Sequence, residues 1–130
     1  MNELFIEAKL ENIDAVIDFI DERIEDCSPK TRKQIEIAVD EIFSNIARYA
    51  YNPDIGNATV RVAVDDDITI EFEDSGTDYD PLAKDDPDVS LPPEKRKAGG
   101  LGVFMVKNIM DSVEYRREGD KNILTVRKKG

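Results

Sequence analysis

The stretch VDEIFSNIARYAY, residues 39–51, places two polar side chains beside an apolar helical stripe. Upstream, Ser28-Pro29 is a helix start signal, and downstream Asn52-Pro53 is a stop signal, so we predict one long helix between them. Glu41 and Asn45 are four residues apart and point the same way from that helix. The apolar residues that share its buried face are Ile35, Ala38, Val39, Ile42, Phe43, Ile46 and Ala50.

Glu41 and Asn45 fall at the edge of the apolar stripe, where their side chains would be half-buried. A partly buried carboxylate is costly unless it has a partner, so we expect a cation, a water or a transferable proton near Glu41. Asn45 offers a neutral oxygen of the hard type that Mg²⁺ prefers. The alternative is that both residues merely flank the core.

The segments around this helix predict an α+β fold. Residues 58–64 and 68–72 alternate apolar and polar side chains around the turn 65–67, which is typical of a hairpin. Helices on one face of a mostly antiparallel, mixed sheet would form two layers. The other predicted elements are a strand over 5–10, a helix over 13–24, a helix from 101, and a hairpin of 113–117 with 122–127 around the turn 118–120.

Asp74-Ser75-Gly76 follows the second strand of the first hairpin. An Asp at a strand end can accept a hydrogen bond from an exocyclic amine such as that of adenine, and a glycine lets the backbone approach a ring closely. The alternative is an ordinary turn, because Asp, Ser and Gly are common in turns.

Three glycines, Gly99, Gly100 and Gly102, lie at the start of the apolar helix that begins near residue 101. Backbone N–H groups at a helix start bind anions, so this segment is a candidate phosphate site; the alternative is a hinge without a ligand. No G-x-x-x-x-G-K-[ST] motif occurs, which excludes a P-loop nucleotide hydrolase.

Length and composition limit the classes of protein that fit. The 130 residues are enough for one domain over 1–130 with a single core. Cys27 is the only cysteine and histidine is absent, so an internal disulfide, the usual zinc sites and phosphohistidine chemistry are excluded. The sequence has no apolar run of about 18 residues, and its start lacks the basic-then-apolar order of a signal peptide. We therefore expect a cytoplasmic protein that does not bind a membrane.

The net charge of −11 argues against direct binding to nucleic acid, which depends on Lys and Arg. Residues 1–90 hold 24 acidic and 8 basic side chains, whereas residues 91–130 hold 5 and 10. The glycine-rich segment therefore lies in the basic part of the chain. This charge is either suited to phosphate binding or belongs to an ordinary solvated surface.

Three motifs, on the helix with Glu41 and Asn45, in the turn after Asp74 and in the glycine-rich segment 99–102, together resemble those of the GHKL, or Bergerat-fold, ATPases. Among these, the chain resembles the small anti-sigma-factor serine/threonine kinases. The family's E-x-x-x-N box is similar to Glu41 and Asn45. Its G-x-G box before a helix is similar to Gly100, Leu101 and Gly102. Its D-x-G-x-x-[FY]-D-P box is similar to Asp74, Gly76, Tyr79, Asp80 and Pro81.

The resemblance implies a role for each residue of the site. Asn45 would bind Mg²⁺, Asp74 would bind adenine, Glu41 would act as general base, and residues 82–99 would form the ATP lid. Thr125 matches a threonine that often helps to hold adenine. The remaining nucleotide-binding positions would be Gly76, Tyr79, Gly99, Gly100, Leu101, Gly102 and Val103.

By the same resemblance the chain is expected to be an ATP- and Mg²⁺-dependent protein serine/threonine kinase. It would phosphorylate a STAS-domain antagonist and sequester a sigma factor or other regulator. A homodimer is compatible with this function. The alternative is a non-catalytic binding module in which ATP orders the lid and creates a protein-binding surface. The chain departs from many of these kinases at Tyr49 and Gly99, where they have histidine.

Overall fold

A computed structural model describes residues 2–51, 54–77 and 101–129, which form one sheet with three α-helices packed on one face. The strand order is β1-β2-β3-β5-β4, and every pairing between these strands is antiparallel. The predicted α+β architecture with helices on one face is therefore confirmed, except that these five strands pair only antiparallel, whereas a mixed sheet was predicted. The strands are β1 (Asn2–Glu7), β2 (Asn57–Val64), β3 (Asp67–Asp74), β4 (Ser112–Glu118) and β5 (Lys121–Lys129).

The helices are α1 (Ile13–Asp21), α2 (Pro29–Asn45) and α3 (Leu101–Ile109). The predicted start of α2 is confirmed, because the Ser28 hydroxyl accepts a hydrogen bond from the Thr31 N–H at 3.1 Å. The end of α2 differs from the prediction. The α-helix stops at Asn45, and a π-helical turn, Ile46–Ala50, carries the chain onward.

Both hairpins form where the sequence predicts them. The β2–β3 turn is at Asp65-Asp66, and Gly119 in the β4–β5 turn has a φ of 60°, a value that a side chain disfavours. The first strand begins earlier than predicted and ends at Glu7, which pairs with Asn57. The chain then turns away through a short 3-10 helix, Leu10–Asn12, so residues 8–10 do not extend the strand.

The core lies between the helices and the sheet. Even-numbered side chains of β2, β3 and β5 face the helices, so that Ile70, Phe72 and Val126 are fully buried with Phe43 of α2. Fully burying one such side chain contributes about 1.5–3 kcal/mol. The same alternation decides which side chains of β3 and β5 can reach a site beneath the helices.

The opposite face of the sheet carries charged side chains. Arg61 on β2 contacts Glu3 at 2.9 Å, Glu73 at 3.1 Å and Glu71 at 3.6 Å. The hydrogen bond to Glu3, opposed by burial and helped by Glu73, raises the pKa of Arg61 above its ordinary value. This face is therefore held by ion pairs between neighbouring strands.

Candidate functional site

A cavity of about 210 Å³ opens between α2, α3 and the sheet. Its walls are mostly apolar, with a few polar groups at its ends, which is the usual character of a small-molecule site. The lining residues are Glu41, Ile42, Asn45, Ile46, Tyr49, Ala50, Phe72, Asp74, Thr77, Val103, Val106, Val113, Tyr115, Asn122 and Leu124.

The π-helical turn after α2 forms part of this wall. Ile46, Tyr49 and Ala50 all belong to the turn and line the cavity. A π-helical turn widens the helix and changes the direction of its side chains, and such turns often occur at functional sites. The uniform helix predicted from sequence therefore misses the local geometry that shapes the site.

Asp74 ends β3 at one side of the cavity and is 6% exposed. Its Oδ1 accepts two hydrogen bonds, from the Gly76 N–H and from Asn122 Nδ2, both at 2.9 Å. No donor among the residues of 2–51, 54–77 and 101–129 reaches Oδ2. The carboxylate is thus held through one oxygen, and its second oxygen is left to accept from a ligand.

The turn after Asp74 is attached to the end of the α2 segment. The Tyr51 hydroxyl accepts from the Ser75 N–H at 2.7 Å and donates to the Asn57 carbonyl at 2.7 Å. A β-carbon on Gly76 would overlap the carbonyl oxygen of Ala50 and lie 2.7 Å from its carbonyl carbon. Glycine is therefore required here by close packing against the Ala50 backbone, whereas the approach to a ligand ring expected from the sequence stays a prediction.

Asn122 on β5 is the residue that sequence reasoning missed. It is 7% exposed, pairs with Asp74 across the β3–β5 ladder, and donates from Nδ2 to the Thr77 carbonyl as well as to Asp74. The register with β3 places it beside Asp74, on the same face of β5 as Leu124 two residues on, and the sequence of β5 alone does not reveal this.

Glu41 and Asn45 lie at the other side of the cavity, on the last turns of α2. Neither side chain has a hydrogen-bond or ion-pair partner in the described part of the chain. A β-carbon on Gly102 would overlap Glu41 Oε2 and lie 3.0 Å from its Cδ. The first and last of the three sequence motifs therefore meet at the Glu41 carboxylate.

Hard oxygen donors are present here, but a protein-only metal cage is not. The described residues contain no group of three or more His, Cys, Asp or Glu side chains that could hold a metal ion. Asn45 could supply one oxygen ligand, which fits Mg²⁺ because this ion usually keeps several waters and binds substrate phosphates. The donor set therefore suits a cation that arrives with a phosphorylated ligand.

The predicted site residues fall into four groups. Glu41, Asn45, Asp74 and Val103 line one cavity, with Gly76 and Gly102 packed beside it. Thr125 does not reach it: the residue is three positions from Asn122 on β5, so its side chain is on the opposite face of the sheet. Leu101 begins α3. The predicted Tyr79, Gly99, Gly100 and lid 82–99 lie outside the described residues.

Comparison with known proteins identifies the family and the fold. The model of the histidine kinase-like ATPase domain family matches residues 6–128. The histidine kinase domain of an Erythrobacter litoralis blue-light activated kinase has 18% identity and a TM-score of 0.57, covering 92% of this chain and 58% of that one. The Acinetobacter baumannii histidine kinase AdeS has 16% identity and a TM-score of 0.54, and the match covers 99% of this chain and 68% of that one. Both likenesses concern the fold.

Two curated relatives are named serine-protein kinase RsbW. The protein from Bacillus cereus (strain B4264) is 27% identical over 97 residues, covering 71% of this chain and 61% of its own length. The protein from Listeria monocytogenes serotype 4a is 29% identical over 100 residues, with 72% and 64% covered. The chain thus spans about three fifths of the length of these relatives.

No helix in residues 2–51, 54–77 and 101–129 combines the length and the apolar character needed to cross a membrane. The described helices instead pack on a sheet and enclose a cavity between an Asp-x-Gly turn and a Glu-x-x-x-Asn helix. This arrangement and the match over residues 6–128 lead to the same conclusion. The chain belongs to the histidine kinase-like ATPase domain family, as its resemblance to the GHKL ATPases predicted.

Proposed function

We propose that this chain is an ATP- and Mg²⁺-dependent protein serine/threonine kinase of the anti-sigma-factor type. One observation carries the proposal: a single cavity joins the Asp74 carboxylate, which has one oxygen without a donor, to Glu41 and Asn45, which have no partners in the described part of the chain. The two ends would serve the base and the phosphates of one nucleotide.

The Asp74 end suits adenine. The apolar walls formed by Ile46, Phe72 and Leu124 can bury a flat ring, and Asp74 Oδ2 can accept a hydrogen bond from its exocyclic amine. A 6-oxo purine presents an oxygen at that position, so it would meet the carboxylate with repulsion. ATP is therefore favoured over GTP.

The Glu41 end suits phosphoryl transfer. Asn45 would hold Mg²⁺, which when bound neutralises charge on the phosphates, and Glu41 would accept the proton of an incoming serine or threonine hydroxyl. Gly102 leaves room for the Glu41 carboxylate between α2 and α3. Backbone N–H groups of the glycine-rich segment that begins at Gly99 would bind the phosphates.

The acceptor and the regulated partner are inferred from the family. The relatives named serine-protein kinase support a protein hydroxyl as acceptor. We propose that a STAS-domain antagonist is phosphorylated and that a sigma factor or other regulator is sequestered. Neither role requires contact with nucleic acid, in keeping with the net charge of −11.

A single-turnover assay tests this proposal. The chain is mixed with γ-labelled ATP, Mg²⁺ and a purified STAS-domain antagonist from the same genome, and labelled antagonist is quantified. We expect transfer that requires Mg²⁺ and disappears when the acceptor hydroxyl residue of the antagonist is replaced by alanine. Tight ATP binding without any transfer to cognate antagonists would contradict the kinase assignment.

One observation favours a second function, that of a non-catalytic ATP-gated binding module. Tyr49 lines the cavity near Asn45 and stands where many of these kinases have histidine, so the end of the site proposed for phosphoryl transfer differs from theirs. In that case ATP binding alone would control a protein complex. ATP-dependent capture of the regulator without phosphorylation of the antagonist would favour this alternative.

A further inference from the structure

Asn122 makes four hydrogen bonds, the most that its carboxamide can form. Nδ2 donates to Asp74 Oδ1 and to the Thr77 carbonyl, both at 2.9 Å. Oδ1 accepts from the Tyr115 hydroxyl at 2.6 Å and from Arg117 Nη1 at 3.0 Å. The orientation of the amide is dictated, because two acceptors face its nitrogen and a cation faces its oxygen. With no donor or acceptor left over, Asn122 cannot itself bind a ligand by hydrogen bonding.

These bonds also hold the turn that carries Asp74. Arg117 Nη1 donates to the Gly76 carbonyl at 3.1 Å in addition to Asn122. The Thr77 N–H donates to the Ala50 carbonyl at 2.9 Å. The backbone after Asp74 is therefore attached both to the β4–β5 hairpin and to the end of the α2 segment, so rotation of the Asp74 carboxylate would break several bonds at once.

We propose that Asn122 is a positioning residue that sets the base preference of this site. By occupying Asp74 Oδ1 together with the Gly76 N–H, it leaves only Oδ2 to accept, in one fixed orientation. A fixed acceptor discriminates between an exocyclic amine and a carbonyl oxygen more strongly than a carboxylate that can rotate. Asn122 thereby sets the preference for adenine nucleotides over 6-oxo purine nucleotides. This inference rests on the proposed nucleotide site.

The substitution Asn122→Asp isolates the donor half of the residue. It keeps an oxygen for Tyr115 and Arg117 but replaces the N–H groups that reach Asp74 and Thr77. Calorimetry would measure the affinities of the variant for Mg-ATP and Mg-ITP; inosine carries an oxygen in place of the amine. Asn2→Asp, on the exposed edge strand, adds the same charge away from the cavity and serves as the control.

We expect the ratio of ATP to ITP affinity to fall by at least about tenfold in Asn122→Asp and to stay unchanged in Asn2→Asp. Equal losses for both nucleotides, or no loss, would overturn the inference, because general structural support does not discriminate between bases. If the parental chain binds neither nucleotide, the proposed function itself fails.

A second variant covers the outcome in which Asn122→Asp does not fold, as judged by circular dichroism. Arg117→Gln removes the cation that contacts Asn122 and Gly76 from outside the set of cavity-lining residues. We expect a smaller fall, about threefold, in the same ATP to ITP ratio. A folded Arg117→Gln variant with an unchanged ratio would contradict the positioning role.

Discussion

Gly102 on α3 lies against the carboxylate of Glu41 on α2, so closely that any β-carbon at position 102 would overlap Glu41 Oε2. The group that would have to move is the far end of a flexible side chain. A substitution at Gly102 therefore displaces the Glu41 carboxylate and leaves the helix backbone in place. This contact joins the two motifs of the site that are farthest apart along the chain.

The first prediction follows from this contact. In Gly102→Ala we expect phosphoryl transfer to fall by at least about tenfold because the Glu41 carboxylate is displaced. The thermal midpoint should stay within a few degrees or rise, since alanine favours a helix over glycine by about 0.5–1 kcal/mol. Single-turnover transfer and thermal unfolding measure the two effects. Normal transfer would show that the position of Glu41 is not critical.

The second prediction separates chemistry from binding at Glu41. Glu41→Gln keeps the shape of the side chain but cannot accept a proton, so transfer should fall by roughly 10²–10⁴-fold while ATP affinity stays within a few-fold. Asn45→Ala is the matched comparison: loss of a Mg²⁺ ligand should lower both affinity and transfer, and added Mg²⁺ should restore part of each. Transfer at the parental rate by Glu41→Gln would remove Glu41 from catalysis.

The third prediction concerns Thr125, whose side chain is on the face of the sheet away from the cavity. Thr125→Val keeps the shape of the side chain and removes only its hydroxyl, which does not face the cavity, so we expect ATP affinity within about twofold of the parental value. Calorimetry measures it. A tenfold loss would mean that the threonine holds adenine as the family resemblance implied.

The fourth prediction concerns stability and pH. Burial, and then the neighbouring Glu36 carboxyl, raise the pKa of Asp21 from 3.8 to about 6, and Arg32 only partly opposes this. Asp21 Oδ1 is buried without a hydrogen bond. Because the folded state binds this proton more tightly, the contribution of Asp21 to stability is present below about pH 4 and is lost as pH rises through about 6.

Asp21→Asn should therefore be more stable than the parental chain at pH 7.5, with a difference that disappears near pH 4. Thermal unfolding from pH 4 to 8 measures this. Asp66→Asn, in the exposed β2–β3 turn, removes the same charge and should not show the pattern. Parallel curves for Asp21→Asn and the parental chain would contradict a raised pKa in the folded state.

Local sequence signals predicted most of the fold. The start of α2 was predictable because Ser28 and Pro29 act within one helical turn, and both hairpins because alternation and turn residues are local. The π-helical turn was not predicted from the local pattern; its last residue, Ala50, accepts a hydrogen bond from the Thr77 N–H, which is far away in the sequence. Local patterns do not report such contacts.

The site was predictable where its chemistry lies in short motifs. Glu41, Asn45 and Asp74 were predicted in this way, and all three line the one cavity described above. The choice between Asn122 and Thr125 was not predictable, because it depends on which residues of β5 face the helices. Strand β5 buries side chains on both faces: Ile123 is 3% exposed and Val126 is 0% exposed. Only the register with β3, in which Asn122 pairs with Asp74, decides the matter.

The proposed nucleotide site is tested most directly by a calorimetric titration of Mg-ATP into the parental chain and into Asp74→Asn, with Asp66→Asn as the control. We expect one saturable site in the parental chain and in the control. In Asp74→Asn we expect affinity lower by at least about tenfold, since a charge-assisted hydrogen bond contributes roughly 1.5–3 kcal/mol. Equal affinity in Asp74→Asn, or no binding by the parental chain, would contradict the proposed site.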